Sequence, residues 1–285
     1  MMVPLPFAER MRKGDPGDPL LAQVLPHADE QLATEGWVAD PVGDQASRQA
    51  RGVLHKYAGR VRLVSTGACA IHCRYCFRQQ FDYAGEHAGA GQWRAAVDYI
   101  SGRDDIEEVI LSGGDPLMLP TRQLKSLTEQ LRSLPRIRRL RLHTRLPVVL
   151  PDRVTDSLAN WIEGLPWPVV VVIHANHAAE FDADVDAAMA RLRGTGAHLL
   201  NQSVLLRGIN DSADALEALM QRSFEAGVIP YYLHMLDRVA GAMRYDVDRR
   251  QALDLLETLR IRLAGYLVPR LVREEAGAPY KLPVL

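Results

Sequence analysis

The only cysteines in this 285-residue chain lie within eight residues of one another, as Cys69-Ala-Ile-His-Cys73-Arg-Tyr75-Cys76. An odd number packed this tightly is not a disulfide framework. Thiolates spaced Cys-x3-Cys-x2-Cys can converge on one metal centre. A tetrahedral zinc site wants a fourth protein ligand; His72 is the local candidate, but its neighbour Cys73 constrains its reach. An iron–sulfur cube is usually held by four thiolates, so three would leave one iron open to an exogenous ligand. Three buried thiols, or a Cys-x2-Cys redox pair with a spectator, is the bland alternative.

Lysine is the second scarce type. Only Lys13, Lys56, Lys125 and Lys281 occur, while arginine supplies nearly all other positive charge. Arginine cannot form a Schiff base and is never deprotonated, so a retained lysine is a candidate for amine chemistry, with a solvated surface charge as the plain alternative for each of the four. A third feature is Ser112-Gly113-Gly114-Asp115-Pro116. Glycines there let backbone approach a ligand closely, although a plain strand-to-helix turn has the same composition.

These residues need a frame. Apolar, β-branched runs begin near Arg62, Glu108, Arg138, Pro168, His198, Ile229 and Tyr266, mostly about thirty residues apart. Helix-period segments lie between them: Leu124–Leu134, Val154–Ile162, Val185–Leu192, Ala213–Phe224 and Arg250–Leu263. This rhythm predicts successive βα units and a parallel sheet. Val169–Ile173 is all apolar, as a strand buried on both faces should be. No dinucleotide fingerprint follows the first strand. The fold class is therefore α/β, a partial (β/α)6 barrel with a short helical preface over residues 1–55 and a core over 56–285 that ends in a strand and tail. The first step, 46 residues, predicts an expanded loop after the first core strand. That loop carries the cysteines to the C-terminal edge of the sheet, where parallel α/β folds keep their chemistry.

Composition excludes much else. Net charge is −1, with 47% hydrophobic and 24% charged residues. There is no general basic field for nucleic acid and no apolar run near the roughly 18 residues of a membrane span. The opening residues hold no signal-peptide core, so the expected location is cytoplasmic.

Cys-x3-Cys-x-aromatic-Cys on the loop after the first barrel strand resembles the radical S-adenosylmethionine (SAM) superfamily. The resemblance implies a 4Fe–4S cluster on Cys69, Cys73 and Cys76 whose open iron binds SAM, and an electron donor such as flavodoxin or ferredoxin. Gly113, Gly114 and Asp115 match its glycine motif, which implies SAM contact. His143-Thr-Arg145-Leu-Pro, His174-Ala-Asn-His177, Asn201-Gln202-Ser203 and Pro230-Tyr231-Tyr232-Leu-His234 are similar to the lysine 2,3-aminomutases. The likeness runs from about Val3 to Leu285. It leans toward the branch that serves β-lysylation of elongation factor P, through Arg10-Met-Arg-Lys-Gly-Asp15, His55-Lys56-Tyr57, Cys76-Phe77-Arg78, Tyr232-Leu-His-Met-Leu-Asp237 and Gly277-Ala-Pro-Tyr-Lys281. Members of that branch often extend further at the N-terminus.

The resemblance implies conversion of L-lysine to (R)-β-lysine, with pyridoxal phosphate (PLP) on Lys281 and a separate ligase passing the product to elongation factor P. It places Tyr57 and Arg60 around PLP, Arg60 on its phosphate, with Lys56 as either a helper or a surface charge. Arg78 matches the residue that holds the substrate α-carboxylate; a guanidinium fork suits that task. Asp237 and Glu274 match the acids that hold the ε-ammonium, and His174 and Gln202 match SAM contacts. The aminomutases carry Asp where Glu274 stands, and the longer glutamate leaves less room for the substrate. Their zinc-binding cysteine tail has no counterpart, so no zinc-linked assembly is expected. Two other readings stand at this point: a glutamate-directed radical SAM aminomutase, and a non-catalytic zinc or thiol redox protein.

Overall fold

The computed structural model describes residues 2–83 and 93–285. Among them, ten strands hydrogen-bond in chain order into one sheet. They are β1 (Arg48–Ala50), β2 (Val53–Tyr57), β3 (Arg60–Thr66), β4 (Glu108–Gly113), β5 (Arg139–Thr144), β6 (Val169–Ile173), β7 (His198–Val204), β8 (Ile229–His234), β9 (Arg270–Arg273) and β10 (Leu282–Pro283). The seven from β3 to β9 are parallel. Antiparallel pairs extend the sheet at each end, with β1 on β2, β2 on β3 and β10 on β9. β1 and β10 are the two edges, so the sheet stays open.

Two short helices, α1 (Leu5–Glu9) and α2 (Pro19–Ala22), precede the sheet. Six helices follow successive parallel strands: α3 (Trp93–Ser101), α4 (Thr121–Arg132), α5 (Asp156–Glu163), α6 (Ala183–Gly194), α7 (Ala213–Glu225) and α8 (Arg249–Arg262). This is the partial (β/α)6 barrel that the rhythm predicts, with a seventh parallel strand, β9, after its sixth helix. Short polar side chains start the later helices by accepting free first-turn N–H groups. Thr155, Asp182, Ser212 and Asp248 do so for α5 to α8.

Two boundaries differ from expectation. The N-terminal stretch is not only helical, because β1 and β2 form a hairpin that pairs with β3. Its strand signal is hidden by the polar residues Arg48, Gln49, His55 and Lys56. The last barrel strand begins at Arg270, not Tyr266, because Gly265–Leu267 forms a 3-10 turn.

The core is one apolar body. Leu63, Leu111, Leu140, Leu142, Val171 and Ile173 from the strands meet Leu124, Leu127, Leu158, Met189, Leu219 and Leu259 from the helices, all fully buried. Burying each such side chain stabilises by about 1.5–3 kcal/mol. Phe7, Leu20 and Val24 of the N-terminal stretch belong to the same cluster. Register then decides where chemistry sits. Thr66 pairs with Gly113, Thr144 with Ile173, and Val204 with His234. The C-terminal ends of the strands therefore lie side by side, and the site is built there. No helix among the described residues is long and apolar enough to cross a membrane.

Candidate active site

The three cysteines follow β3 on a loop that turns tightly. Cys76 N donates to Cys73 O at 3.2 Å and Gln79 N to Cys76 O at 3.0 Å. The N-terminal stretch holds this loop from outside. Arg74 N donates to Gln23 O at 2.9 Å, and the Arg74 guanidinium grips Glu30. All three thiols are free and partly buried. They line one cleft of about 200 Å³ together with Arg78, Gly113, Gly114, Asp115, Arg145, His174, Gln202, His234, Asp237, Glu274 and Lys281. Burial pushes the Cys69 thiol up, and it pushes Cys76 up to about 11. A bound cation inverts that balance by favouring the thiolate. Among the described residues no three His, Cys, Asp or Glu side chains form a set that could hold a metal ion. A cluster that spreads its thiolate ligands over several irons does not need the tight convergence of a single zinc ion.

The glycine motif borders the cleft and also packs backbone against backbone. A Cβ on Gly114 would lie 2.2 Å from Ala68 O, and one on Gly113 would lie 2.6 Å from Thr66 O. Gly114 N and Asp115 N donate to Thr66 O and Ala68 O at 2.7 and 2.8 Å. The two glycines thus seat the root of the cysteine loop against the end of β4. Gly114→Ala should cost about 3 kcal/mol, since backbone must move. That corresponds to a Tm drop of roughly 5 °C or more. Iron uptake should fall with it, and calorimetry beside iron analysis checks both. Asp115 is spent within the chain. Its carboxylate accepts from Thr144 Oγ1 at 2.7 and 2.9 Å, Arg145 N at 2.7 Å, Leu146 N at 3.0 Å and Leu117 N at 3.0 Å, tying the ends of β4 and β5 together.

Arg78 is buried on the cleft wall. Its Nε donates to Asp44 at 2.6 Å and its Nη1 to Ser112 Oγ at 3.2 Å, while Nη2 is buried without a partner. The fork is therefore already half engaged, with one donor left for a ligand. Asp44, missed in the sequence reading, is a hub. It is 1% exposed, contacts Lys56 at 2.6 Å and lies 3.8 Å from Arg62. Although burial works against its charge, Arg78, Arg62 and Lys56 hold its carboxyl well below the usual range. Nothing periodic marks the segment Asp40–Asp44, so its burial was not legible. His174 lies one residue past β6, its Nε2 2.9 Å from Tyr75 Oη. Burial first, then Arg145, pushes it down to about 3, so it is neutral.

Lys281 arrives by a hairpin. β10 pairs with β9 with Leu282 opposite Arg273, which brings Lys281 beside Glu274. Lys281 Nζ and Glu274 Oε2 are 2.5 Å apart, and Lys56 Nζ holds the other oxygen at 3.0 Å. Burial opposes charge on Glu274, but Lys281, Arg62 and Lys56 keep it ionised well below the usual range. Glu274 is thus paired to two lysines of the chain in this state. Asp237 is not; among the described residues it has no ion pair. Burial, then the nearby Glu274 charge, pushes it up to about 7. Gly277 has φ +80°, yet a Cβ there would meet nothing within 4 Å. It serves the turn and not a close approach.

Lys281 also borders a second cavity, of about 870 Å³, lined by Lys56, Tyr57, Arg60, Arg62, Arg141, His143, Tyr231, Tyr232, Arg270 and Tyr280. Arg60 stacks over Tyr57 at 4.7 Å. Arg62 Nε and Nη1 and His143 Nε2 are buried with no hydrogen-bond partner. Buried donors without acceptors are costly. A cationic, tyrosine-walled cavity that leaves them open fits a phosphorylated aromatic molecule. Lys281, Arg62 and His143 border both spaces.

Residues 63–220 match the family model of the radical SAM superfamily. The chain is 45% identical over 284 residues to the L-lysine 2,3-aminomutase of Escherichia coli (strain K12), covering 100% of this chain and 83% of that protein. It is 42% identical over 281 residues to the L-lysine 2,3-aminomutase of Haemophilus influenzae, covering 99% and 83%. Among solved structures, Streptococcus suis SuiB bound to S-adenosylmethionine aligns at a TM-score of 0.53 and 12% identity, over 77% of this chain and 51% of that one. That likeness is one of fold.

Proposed function

The chain belongs to the radical SAM superfamily and, within it, to the lysine 2,3-aminomutases, and from that premise we propose that it is an isomerase converting L-lysine to (R)-β-lysine. The observation that carries this reading is the single amine of Lys281, set between a cysteine-lined cleft and a cationic cavity. When bound, the cluster and SAM supply hydrogen-atom abstraction, and PLP supplies an electron-accepting ring for the migrating nitrogen. Cys69, Cys73 and Cys76 would hold the cluster, with His174, Gln202 and the Gly113–Gly114 backbone as the SAM side. Lys281 would hold PLP, with Arg60, Tyr57 and the open donors of Arg62 and His143 around it.

The chain's own work is placement. Arg78 offers its open Nη2 to the α-carboxylate. Asp237 faces the ε-ammonium, with Glu274 freed for the same role once Lys281 turns to the cofactor. Two acids at the distal end disfavour a glutamate substrate, whose side chain is anionic. The cleft's burial excludes water from a radical reaction. Likeness at His55–Tyr57 and Gly277–Lys281 to the branch noted above supports a further proposal. The β-lysine would be destined for elongation factor P through a separate ligase, and a flavodoxin or ferredoxin would supply electrons.

Anaerobic incubation with SAM, PLP, reductant and a panel containing lysine and glutamate tests the reading. β-Lysine and deoxyadenosine should form from lysine alone. Turnover of glutamate and not lysine would overturn it, as would a colourless protein without iron. A pH series sharpens it. Because burial and the Glu274 charge push Asp237 up to about 7, it is increasingly protonated and neutral as pH falls below 7. Lysine affinity should therefore weaken on acidification and recover above 7. Asp237→Asn should flatten that profile and weaken lysine binding by the equivalent of about 1.5–3 kcal/mol, roughly tenfold to a hundredfold in Kd. SAM binding should be little changed.

A further inference from the structure

We propose that the buried Arg145–Glu180 pair sets the reduction potential of the cluster on the cysteine loop, with Arg145 acting through Cys73 as a positioning residue. This rests on the reading that Cys69, Cys73 and Cys76 hold a 4Fe–4S cluster. Arg145 follows directly on β5 and reaches across the cleft. Its Nη1 lies 2.7 Å from Cys73 Sγ and 2.8 Å from Tyr75 Oη. Its Nη2 lies 2.7 Å from Gln23 Oε1 and 3.0 Å from Glu180 Oε2. Arg145 is 7% exposed and Glu180 is not exposed at all.

Both ends of the pair are held, with Arg145 Nε the one buried donor left without a partner. Glu180 Oε1 accepts from Asn176 N at 2.8 Å, His177 N at 3.2 Å and Gln23 Nε2 at 3.1 Å. Tyr75 Oη accepts from Asn176 Nδ2 at 2.6 Å and meets His174 Nε2 at 2.9 Å. The guanidinium therefore has one orientation, with one edge on a cysteine sulfur and the other on a carboxylate. Burying an ion pair is a poor way to gain stability, since apolar residues of similar volume often do as well. A charge pair kept at this cost against a cluster sulfur has an electrostatic use.

Reduction adds one electron to the cluster from a low-potential external carrier, which is oxidised in the same step; no proton moves. An N–H donor and positive charge at a ligating sulfur stabilise the added electron and raise the potential. The Glu180 carboxylate, one guanidinium width away, limits that gain and fixes the donor's direction. Removing Arg145 should lower the potential, and removing the Glu180 charge should raise it.

The test is a midpoint titration of the anaerobically reconstituted full chain, followed by electron paramagnetic resonance without SAM or lysine, with iron measured on each sample. Arg145→Gln should make reduction about tenfold less favourable, which is about 59 mV downward for one electron. Glu180→Gln should shift the midpoint upward, and Arg145→Lys, which keeps the charge, should fall between wild type and Arg145→Gln. If Arg145→Gln does not load iron, the other two variants decide. Wild-type protein that takes up no cluster would overturn the reading that Cys69, Cys73 and Cys76 hold one. Loaded variants sharing the wild-type midpoint would overturn this proposal alone.

Discussion

Replacing Cys69, Cys73 or Cys76 with alanine is expected to abolish deoxyadenosine release from SAM while leaving the barrel folded. The thiols are free and only partly buried. The turn that carries them is held by backbone bonds and by Arg74, Gln23 and Glu30. Losing one sulfur removes a single partly buried atom and, at Cys73, the contact with Arg145, which costs on the order of 1–3 kcal/mol against a total stability of about 5–15 kcal/mol. It costs the cluster one of three protein ligands, and the chain has no fourth cysteine to replace it. Circular dichroism should therefore be unchanged, while iron content and SAM cleavage collapse together. A variant that keeps full iron and full deoxyadenosine production would remove that cysteine from the ligand set. Loss of the fold itself would point instead to a structural role for the loop.

The second large effect is expected at Lys281. Alanine there should lower aminomutase turnover on the order of 10³-fold or more, the scale seen when a covalent catalytic group is removed. Borohydride treatment of PLP-loaded wild type should fix a covalent adduct on the Lys281 peptide, and the variant should lack it. Alanine alone leaves an ambiguity, because Lys281 also pairs with Glu274. Lys281→Arg resolves it. Arginine keeps the charge beside Glu274 but cannot take part in Schiff-base chemistry. It should preserve thermal stability and still fail as a catalyst. The cysteine cluster and uncoupled SAM cleavage should survive in both variants. Mapping of the adduct to Lys13, Lys56 or Lys125 would assign the anchor to another lysine.

The barrel was legible because its strands are short apolar runs at a constant interval. Glu108, His198 and Ile229 begin strands where their runs begin, and β3, β5 and β6 start within two residues of expectation. The β1–β2 hairpin was not, since half its residues are polar and its pairing partner is β3, not a periodic neighbour. In the site, rarity was the useful signal for the three clustered cysteines, whereas the four lysines are scattered and only the family resemblance picked out Lys281. Arginine is plentiful, so Arg62 carries no mark of its own, and Arg145 stands out only as part of a motif, with no role attached. Their roles appear only once the fold places them in a dry cleft with carboxylates from Asp44 and Glu180. Gln23 and Glu30 were hidden for a related reason. They lie in a stretch without periodicity, and their partners are Arg145 and Arg74, far along the chain.

The ion pair between Lys56 and Glu274 joins residues 218 positions apart. Strands that add to the sheet in chain order let the growing polypeptide build the barrel from one side during synthesis, which proceeds at about 5–20 residues per second. The root of the cysteine loop can therefore seat on β4 as soon as Gly114 has emerged, whereas the cavity beside Lys281 lacks its last wall until the β9–β10 hairpin is made. For roughly ten seconds or more a nascent chain would present the metal-binding half of its site without the other half. A chain clipped before β9 would keep Cys69, Cys73 and Cys76 with their seat on β4 and would lose both Glu274 and Lys281, the acid and the amine that face each other across the end of the cleft.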